Sequence, residues 1–279
     1  GADWTWHKWV RRNEKISTEA WLKDLIEHDT RFSGRAVQQI YHVKFYNQDG
    51  DLLSEADSWC FRTDRDFARE EGTKYDSLKS KEPKRYTPEA LSQIYALYRD
   101  EEIRGATPRY WEDVSVDDEL PTMAKGPMTV TGFICYAQGW GGLYIRANKI
   151  AWKQIDRHPG LGIENRFGIP DCPERVHWEN EFATEVGAPG AYDYGPERCS
   201  WLSHHLTNWM GDDGFLVRSE SKIRRHNPEG DLLFIKGKVI KKYEENGHGY
   251  VEIAQEAHQQ DDELSIFGSG IVRLPRKPA

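Results

Sequence analysis

Asp171 and His177 stand six residues apart on a loop that also carries Pro173. A carboxylate and an imidazole side by side can hold a water between them and pass its protons. That is general acid–base work, suited to a histidine that titrates near neutrality. Glu179, two residues past the histidine, offers a second acid. Further on, Tyr192-Asp193-Tyr194 leads into Gly195, which opens a helix candidate. A backbone N–H at a helix N-terminus lacks an intrahelical acceptor and lies at the positive end of the dipole, so a developing oxyanion could sit there. The same residues also admit a purely structural reading, in which Asp171 caps a turn, His177 makes a buried hydrogen bond and Gly195 permits a bend.

Such a group of residues needs elements to hold it. Pro196 to Met210 predicts a helix: Cys199, Leu202, Leu206 and Trp209 fall at 3-4-3 spacing, proline sits in the first turn and Gly211 follows the end. Around it the chain echoes itself at long range. Tyr46-Asn47-Gln48-Asp49-Gly50-Asp51-Leu52 near the start answers His258-Gln259-Gln260-Asp261-Asp262-Glu263-Leu264 near the end. Both read as strand, polar turn, strand, and the alternating stretches Ala36 to Phe45 and Leu232 to Ile240 precede them. A helix across a curved antiparallel sheet makes the fold class α+β. In the first half, Ser17 to Glu27 predicts a short helix from Trp21, Leu22, Leu25 and Ile26. No counterpart of the 196–210 helix precedes the first-half strands, so the inner face of that sheet must pack on the second half or on another polypeptide. Between the halves, Asp64 to Glu70 reads as a short helix or turn and Lys74 to Arg85 as a loop. Thr87 caps a helix that runs from Pro88 to about Glu102.

Composition narrows the function classes. With 279 residues, a net charge of −8 and eleven tryptophans, the chain has the size and large side chains for a buried core. It lacks the basic face that general nucleic-acid binding needs. No apolar run approaches the eighteen residues of a membrane span. Cys60, Cys135, Cys172 and Cys199 never form a CxxC, so free thiols in a reducing cytoplasm are expected, without a metal site. Gly139-Trp140-Gly141-Gly142 lacks the strand-before, helix-after context of a phosphate loop, and His204-His205 has no second ligand cluster.

Arg109 to Pro121, Gly126-Pro-Met-Thr-Val-Thr131, His177-x-Glu-x-x-x-Ala183-x-x-x-Gly187 and the helix at Gly195 together resemble the MaoC-like acyl dehydratases. These are hotdog-fold proteins that include the (R)-specific enoyl-CoA hydratases. The resemblance covers most of the chain and implies a double hotdog whose first unit lacks its central helix. Residues 1–62 would be the trailing strands of an N-terminal hotdog, 63–108 a connector and 109–279 a complete unit. It places His177 on the family's catalytic histidine and Gly195 on its oxyanion-hole glycine. The family's D-x-N-P-x-H aspartate position is held here by Cys172, so the partner acid is expected to be Asp171, with Glu179 in reserve.

Gly139 to Pro170 is longer than the corresponding connection in simple hydratases. It carries Arg146, Lys149, Lys153, Arg157 and His158 among Trp140, Tyr144 and Trp152. With Tyr194, the residues Arg146, Lys149, Lys153 and Trp140 are candidates to meet the phosphates of coenzyme A or a bulky acyl group. A basic surface helix serving nearby acids is the alternative. The resemblance implies water addition to a 2-enoyl-CoA, with coenzyme A as part of the substrate and no other cofactor. Two other functions remain open: an acyl-CoA thioesterase, or a non-catalytic acyl-CoA-binding subunit of a heteromeric hydratase. A homo-oligomer, or a heteromer with a hotdog partner chain, is expected.

Overall fold

Alternation builds most of the sheet. In 233–239, Leu233, Ile235, Gly237 and Val239 are buried while Lys236 and Lys238 point to solvent, the period-2 pattern of a strand with one covered face. A computed structural model describes residues 1–30, 34–63, 84–142 and 144–278. Its first strands are β1 (Ala2–Trp6), β2 (Ser17–Thr30), β3 (Gly34–Tyr46) and β4 (Leu52–Thr63). Helix α1 (Pro88–Arg99) and β5 (Glu119–Lys125) follow, then α2 (Val130–Trp140) and α3 (Asn148–Arg157). A short hairpin, β6 (Ile163–Glu164) and β7 (Pro170–Asp171), leads into α4 (Asn180–Glu185) and the long α5 (Gly195–Met210). The chain ends with β8 (Phe215–Ile223), β9 (Leu233–Glu245), β10 (His248–Gln259) and β11 (Leu264–Leu274).

Nine of these strands form one antiparallel sheet in the order β2-β3-β4-β1-β8-β11-β10-β9-β5. In its second half the sheet wraps α5. Leu202 and Leu206 of that helix are fully buried, Leu206 in a core with Val239, Val251, Ile253 and Val272 and Leu202 in one with Leu233, Ile235 and Ile266. Glycines let the helix come close: a methyl group on Gly270 would lie 2.2 Å from the Leu206 side chain.

The two halves repeat down to their irregularities. Lys23 is an extra residue in β2 opposite Tyr41 and Ile40, and Ile240 is an extra residue in β9 opposite Ile253 and Glu252. Leu53 is likewise extra opposite Phe45 and Tyr46, as Ser265 is opposite Ala257 and His258. Such bulges re-aim side chains and strengthen twist, so their shared positions give both half-sheets the same local bends. By this register β1, β4, β3 and β2 correspond to β8, β11, β10 and β9. Among the described residues, β5 and α5 have no counterpart in the first half.

The expected helix over Ser17 to Glu27 is instead part of strand β2. The bulge at Lys23 inverts the alternation, so Trp21 and Ile26 share one face and Leu22 and Leu25 the other. A bulged strand apolar on both faces thereby imitates helical spacing. Helix α1 starts as expected, with Thr87 Oγ1 accepting from the Ala90 N–H at 3.2 Å, and ends at Arg99. Asp64 to Glu70 and nearly all of Lys74 to Arg85 lie outside the described residues. At the connector's end, Lys84 Nζ donates to Asp231 Oδ1 at 2.7 Å and the Tyr86 hydroxyl to the Gly230 carbonyl at 2.7 Å.

Candidate active site

The loop that carries the histidine is stiffened from both sides. Its start is the β6–β7 hairpin, and Pro173–His177 then forms a 3-10 turn whose Glu174 N–H donates to Cys172 Sγ at 3.3 Å. The turn delivers His177 to the segment before α5, where its Nδ1–H donates to the Tyr192 carbonyl at 2.7 Å. That bond fixes the tautomer and leaves Nε2 as the basic nitrogen. Burial holds the imidazole below the usual histidine range, opposed by the Tyr192 hydrogen bond and by the negative charges of Asp193 and Glu174. The ring is therefore neutral at pH 7, a base ready to take a proton.

Two tyrosines bracket it. Tyr192 meets the imidazole edge-on at 4.7 Å, and Tyr194 stacks on it with centroids 3.7 Å apart. The Tyr194 hydroxyl donates to Glu174 Oε2 at 3.0 Å, and Glu174 Oε1 accepts from the Tyr144 N–H at 3.0 Å. Burial, then Glu174, pushes the Tyr194 phenol far above its ordinary value, so it stays protonated. Directly after Tyr194, Gly195 is the first helical residue of α5. Its N–H belongs to the first turn, which has no intrahelical acceptor, and lies at the positive end of the helix.

A buried polar network fixes this bracket. Asp193, fully buried between the two tyrosines, accepts from Arg198 Nε at 2.8 Å, Arg198 Nη2 at 2.5 Å and Asn227 Nδ2 at 2.9 Å. Arg198 also donates to the Arg225 carbonyl and to Ser265 Oγ. Asn227 Oδ1 accepts from Ser265 and Gln259, and Gln259 donates onward to Asp231. The network ties the 192–195 segment, α5 and β11 into one unit, so the Tyr192 carbonyl cannot drift from His177.

Neither acid expected beside the histidine is bonded to it. Asp171 accepts from Asn165 Nδ2 at 3.1 Å and from the Cys172 N–H at 2.6 Å, and lies 3.9 Å from Arg175 Nε. Glu179 accepts from Arg175 Nη1 at 2.7 Å. Both serve Arg175, a buried guanidinium that also donates to the Ile163 and Glu164 carbonyls. Two other carboxylates act on the imidazole by charge, Asp193 and then Glu174, the latter because the 3-10 turn carries it to the hydroxyl of Tyr194, whose ring lies on the histidine. Cys172 is no substitute acid: burial pushes its thiol up to about 11.

Of the residues assigned to substrate, Tyr194 lies at the histidine. Trp140, at the end of α2, lies 6.0 Å from both Tyr194 and Tyr136. Lys149 and Lys153 are exposed on α3. Arg146 turns its Nη1 onto the Gly142 and Ile145 carbonyls at 2.6 and 2.8 Å, so it pins its own loop. The insertion does reach the histidine loop: a cleft between them is lined by Tyr144, Gln154, Ile155, Leu161 and Pro173.

Sequence reasoning left Glu174, Asp193, Arg198 and Glu197 without roles. The signal for two of them was present in Tyr-Asp-Tyr immediately before a helix, with an arginine one turn in. Glu197 lies in the first turn of α5, its Oε2 buried without a hydrogen-bond partner, and burial followed by Asp193 pushes it up to about 7. No group of three or more His, Cys, Asp or Glu side chains among the described residues is placed to hold a metal. None of the described helices is long and apolar enough to cross a membrane.

No family model matches the sequence, and no curated protein matches it. Solved structures do. A MaoC-like dehydratase superposes with a TM-score of 0.62 at 15% identity, covering 99% of this chain and 74% of its own. The (R)-hydratase from A. caviae involved in PHA biosynthesis gives 0.44 at 13% identity over 59% of this chain and 99% of its own. A chain of the ChsH1-ChsH2 complex from Mycobacterium tuberculosis gives 0.42 at 10% identity over 58% and 99%. Together with the strand order and the wrapped helix, the first of these shows the architecture: the chain is α+β and has a hotdog fold like that of the MaoC-like dehydratase.

Proposed function

We propose that the chain is a hydro-lyase of the enoyl-CoA hydratase type, adding water across the double bond of a 2-enoyl-CoA thioester. The observation that carries this reading is a neutral, tautomer-fixed His177 stacked on the residue that precedes the N-terminus of α5. The thioester carbonyl would accept from the Gly195 N–H, which stabilises the enolate as the water oxygen bonds to the β-carbon. His177 Nε2 takes the proton that this water loses, and the imidazolium returns a proton to the α-carbon. One H and one OH are thereby added and the enzyme is unchanged. Glu174 and Asp193 lower the energy of the imidazolium through their charge. A positioned acid–base group contributes roughly 10²–10⁴-fold and one oxyanion donor about 10²–10³-fold. The chemistry uses side chains, backbone and water, with coenzyme A entering as part of the substrate. Trp140 and Tyr136 beside Tyr194 offer apolar surface to the acyl group.

The test is a panel of trans-2-enoyl-CoAs, short, long and aromatic, followed by loss of conjugated thioester absorbance with free-thiol release monitored in parallel. Absorbance loss without thiol, abolished by His177→Ala, is the expected outcome. A second reading, hydrolysis of the thioester, is favoured by Glu197, a carboxyl near neutrality with an unpartnered buried oxygen. Thiol release abolished by Glu197→Gln would establish it. Acyl-CoA binding without turnover across the panel would make the chain a binding subunit.

A further inference from the structure

The paired histidines of α5 face opposite ways. His205 turns inward, its Nε2 2.8 Å from the Pro121 carbonyl and its Nδ1 3.0 Å from Gln255 Nε2. His204 turns outward and is exposed. Its Nδ1 accepts from Lys125 Nζ at 3.1 Å, and its Nε2 lies 3.9 Å from Glu101 Oε1. With Nδ1 accepting, Nε2 carries the imidazole proton and presents it to the carboxylate. Carboxylate, imidazole and amine thus stand in a row that shares no residue with the His177 site.

Three elements hold this row. Lys125, half-buried, ends β5, and the Gly126 carbonyl that follows accepts from the Tyr98 hydroxyl of α1 at 2.5 Å. Glu101, just past α1, accepts from Asn208 Nδ2 at 2.7 Å. Asn208 stands four residues beyond His204 and so shares its face of α5. The Asn208 carbonyl in turn accepts from the Arg104 N–H at 3.1 Å. Burial holds the Lys125 ammonium below the ordinary 10.5, opposed by the charge of Glu101. His204 is held below 6.5 by partial burial and then by Lys125, opposed by Glu101 and Asn208. Burial also lowers His205, so no second imidazolium faces the row at pH 7. A lysine so placed gives up its proton more readily than one in water and presents a free electron pair. A shallow cleft reaches the Glu101 end, where Pro121, Met123 and Trp209 offer apolar surface and Glu102 is paired with Arg109 at 3.4 Å.

We propose that Lys125 is a site of covalent self-acylation by acyl thioesters, with His204 as its base. The ammonium first gives one proton to water. The neutral Nζ then attacks the thioester carbonyl carbon, the C–N bond forms, the C–S bond breaks, and the electron pair of that bond leaves on sulfur. The nitrogen sheds its extra proton to His204 Nδ1, and the imidazolium passes it to the departing thiolate. The products are an amide on Lys125 and a free thiol. A base beside the nitrogen is what this aminolysis needs, because the tetrahedral adduct reverts to reactants unless its ammonium proton is removed. The charge of Glu101 favours the transient imidazolium. The proposal stands independently of the hydratase reading, because it uses neither His177 nor Gly195.

The test incubates the full chain with acetyl-CoA and butyryl-CoA, whose saturated acyl groups have no double bond to hydrate. Acylation is read lysine by lysine, by mass spectrometry of the digested protein over time. Lys125 should acylate roughly tenfold or more faster than Lys149 and Lys153, which are exposed on α3. His204→Gln changes an exposed side chain and should bring Lys125 down to the rate of those two. In the unmutated chain, the rate at Lys125 should rise with pH to a midpoint below the ordinary 10.5. Equal rates at the three lysines of the unmutated chain would overturn the proposal. So would a fast Lys125 that His204→Gln leaves fast, or a midpoint at 10.5 or above.

Discussion

The ring of Tyr194 lies on the ring of His177, 25° from parallel, while its hydroxyl is held by Glu174. One tyrosine thus sets the depth of the imidazole and joins it to a carboxylate that does not bond it directly. The histidine is fixed through Nδ1, shielded on one face and left basic at Nε2.

The first consequence is a pH profile. Burial lowers the His177 pKa, so the basic form persists below the ordinary 6.5. The acid limb of kcat/KM should therefore fall below pH 6.5. Glu174→Gln removes a charge that raises this pKa and should move the limb further down. An acid limb at 7 or above would contradict the neutral-base assignment.

The carboxylates can be sorted by substitution. Glu174→Gln should cost roughly 10–100-fold in kcat/KM, since it weakens the field that stabilises the imidazolium. Asp171→Asn and Glu179→Gln should leave activity within a few-fold while lowering thermal stability, because they abandon the buried Arg175. A 10³-fold loss in Asp171→Asn with an unchanged melting temperature would restore Asp171 as the partner acid.

Arg198 is the most consequential residue outside the reacting centre. Arg198→Met leaves the fully buried Asp193 uncompensated, at a cost of about 3–5 kcal/mol measured by urea unfolding. Replacing Arg198 by Met and Asp193 by Leu together should recover part of that stability but not the hydration rate. Full recovery of both would show that the pair does not position the Tyr192 carbonyl.

Glu197 gives a stability signature of opposite sign to an ordinary carboxylate. Its folded pKa is raised from 4.5 to about 7, so the unfolded chain releases this proton first and stability falls as pH rises from about 4.5 to about 7. Glu197→Gln should therefore stabilise the protein at pH 8 by about 1–2 kcal/mol, discounted for partial exposure, and have no effect at pH 4.

Much of the second unit was legible because its signals are local and agree. The 3-4-3 apolar spacing from Cys199 to Trp209, with Pro196 and Gly211 as punctuation, is the observed α5, and the Asn47–Gly50 and Gln259–Asp262 turns join the strands expected of them. Strand β2 was misread because Lys23 shifts its alternation. The short β1 carries no signal of its own: it is held by pairing with β4 and β8, one near and one distant in sequence. At the candidate site, motif spacing marks His177 and Gly195, which the fold brings together across Tyr194. The place of Glu174 beside Tyr194 was not legible, because a 3-10 turn and an extended loop present different members of the same Asp-Cys-Pro-Glu run.

The junction between the half-sheets also governs how the molecule is made. Ala2 to Thr5 pair with Arg218 to Ser221, and Arg218 clasps Asp3 across 215 positions of chain. Closing so long a loop adds only about 3 kcal/mol over a ten-residue one, yet it loads the fold with non-local contacts that slow its formation. During synthesis β1 must wait, already edged by β4, until β8 emerges. The hairpins of the first unit are then the part most at risk of pairing with another molecule before the sheet is complete.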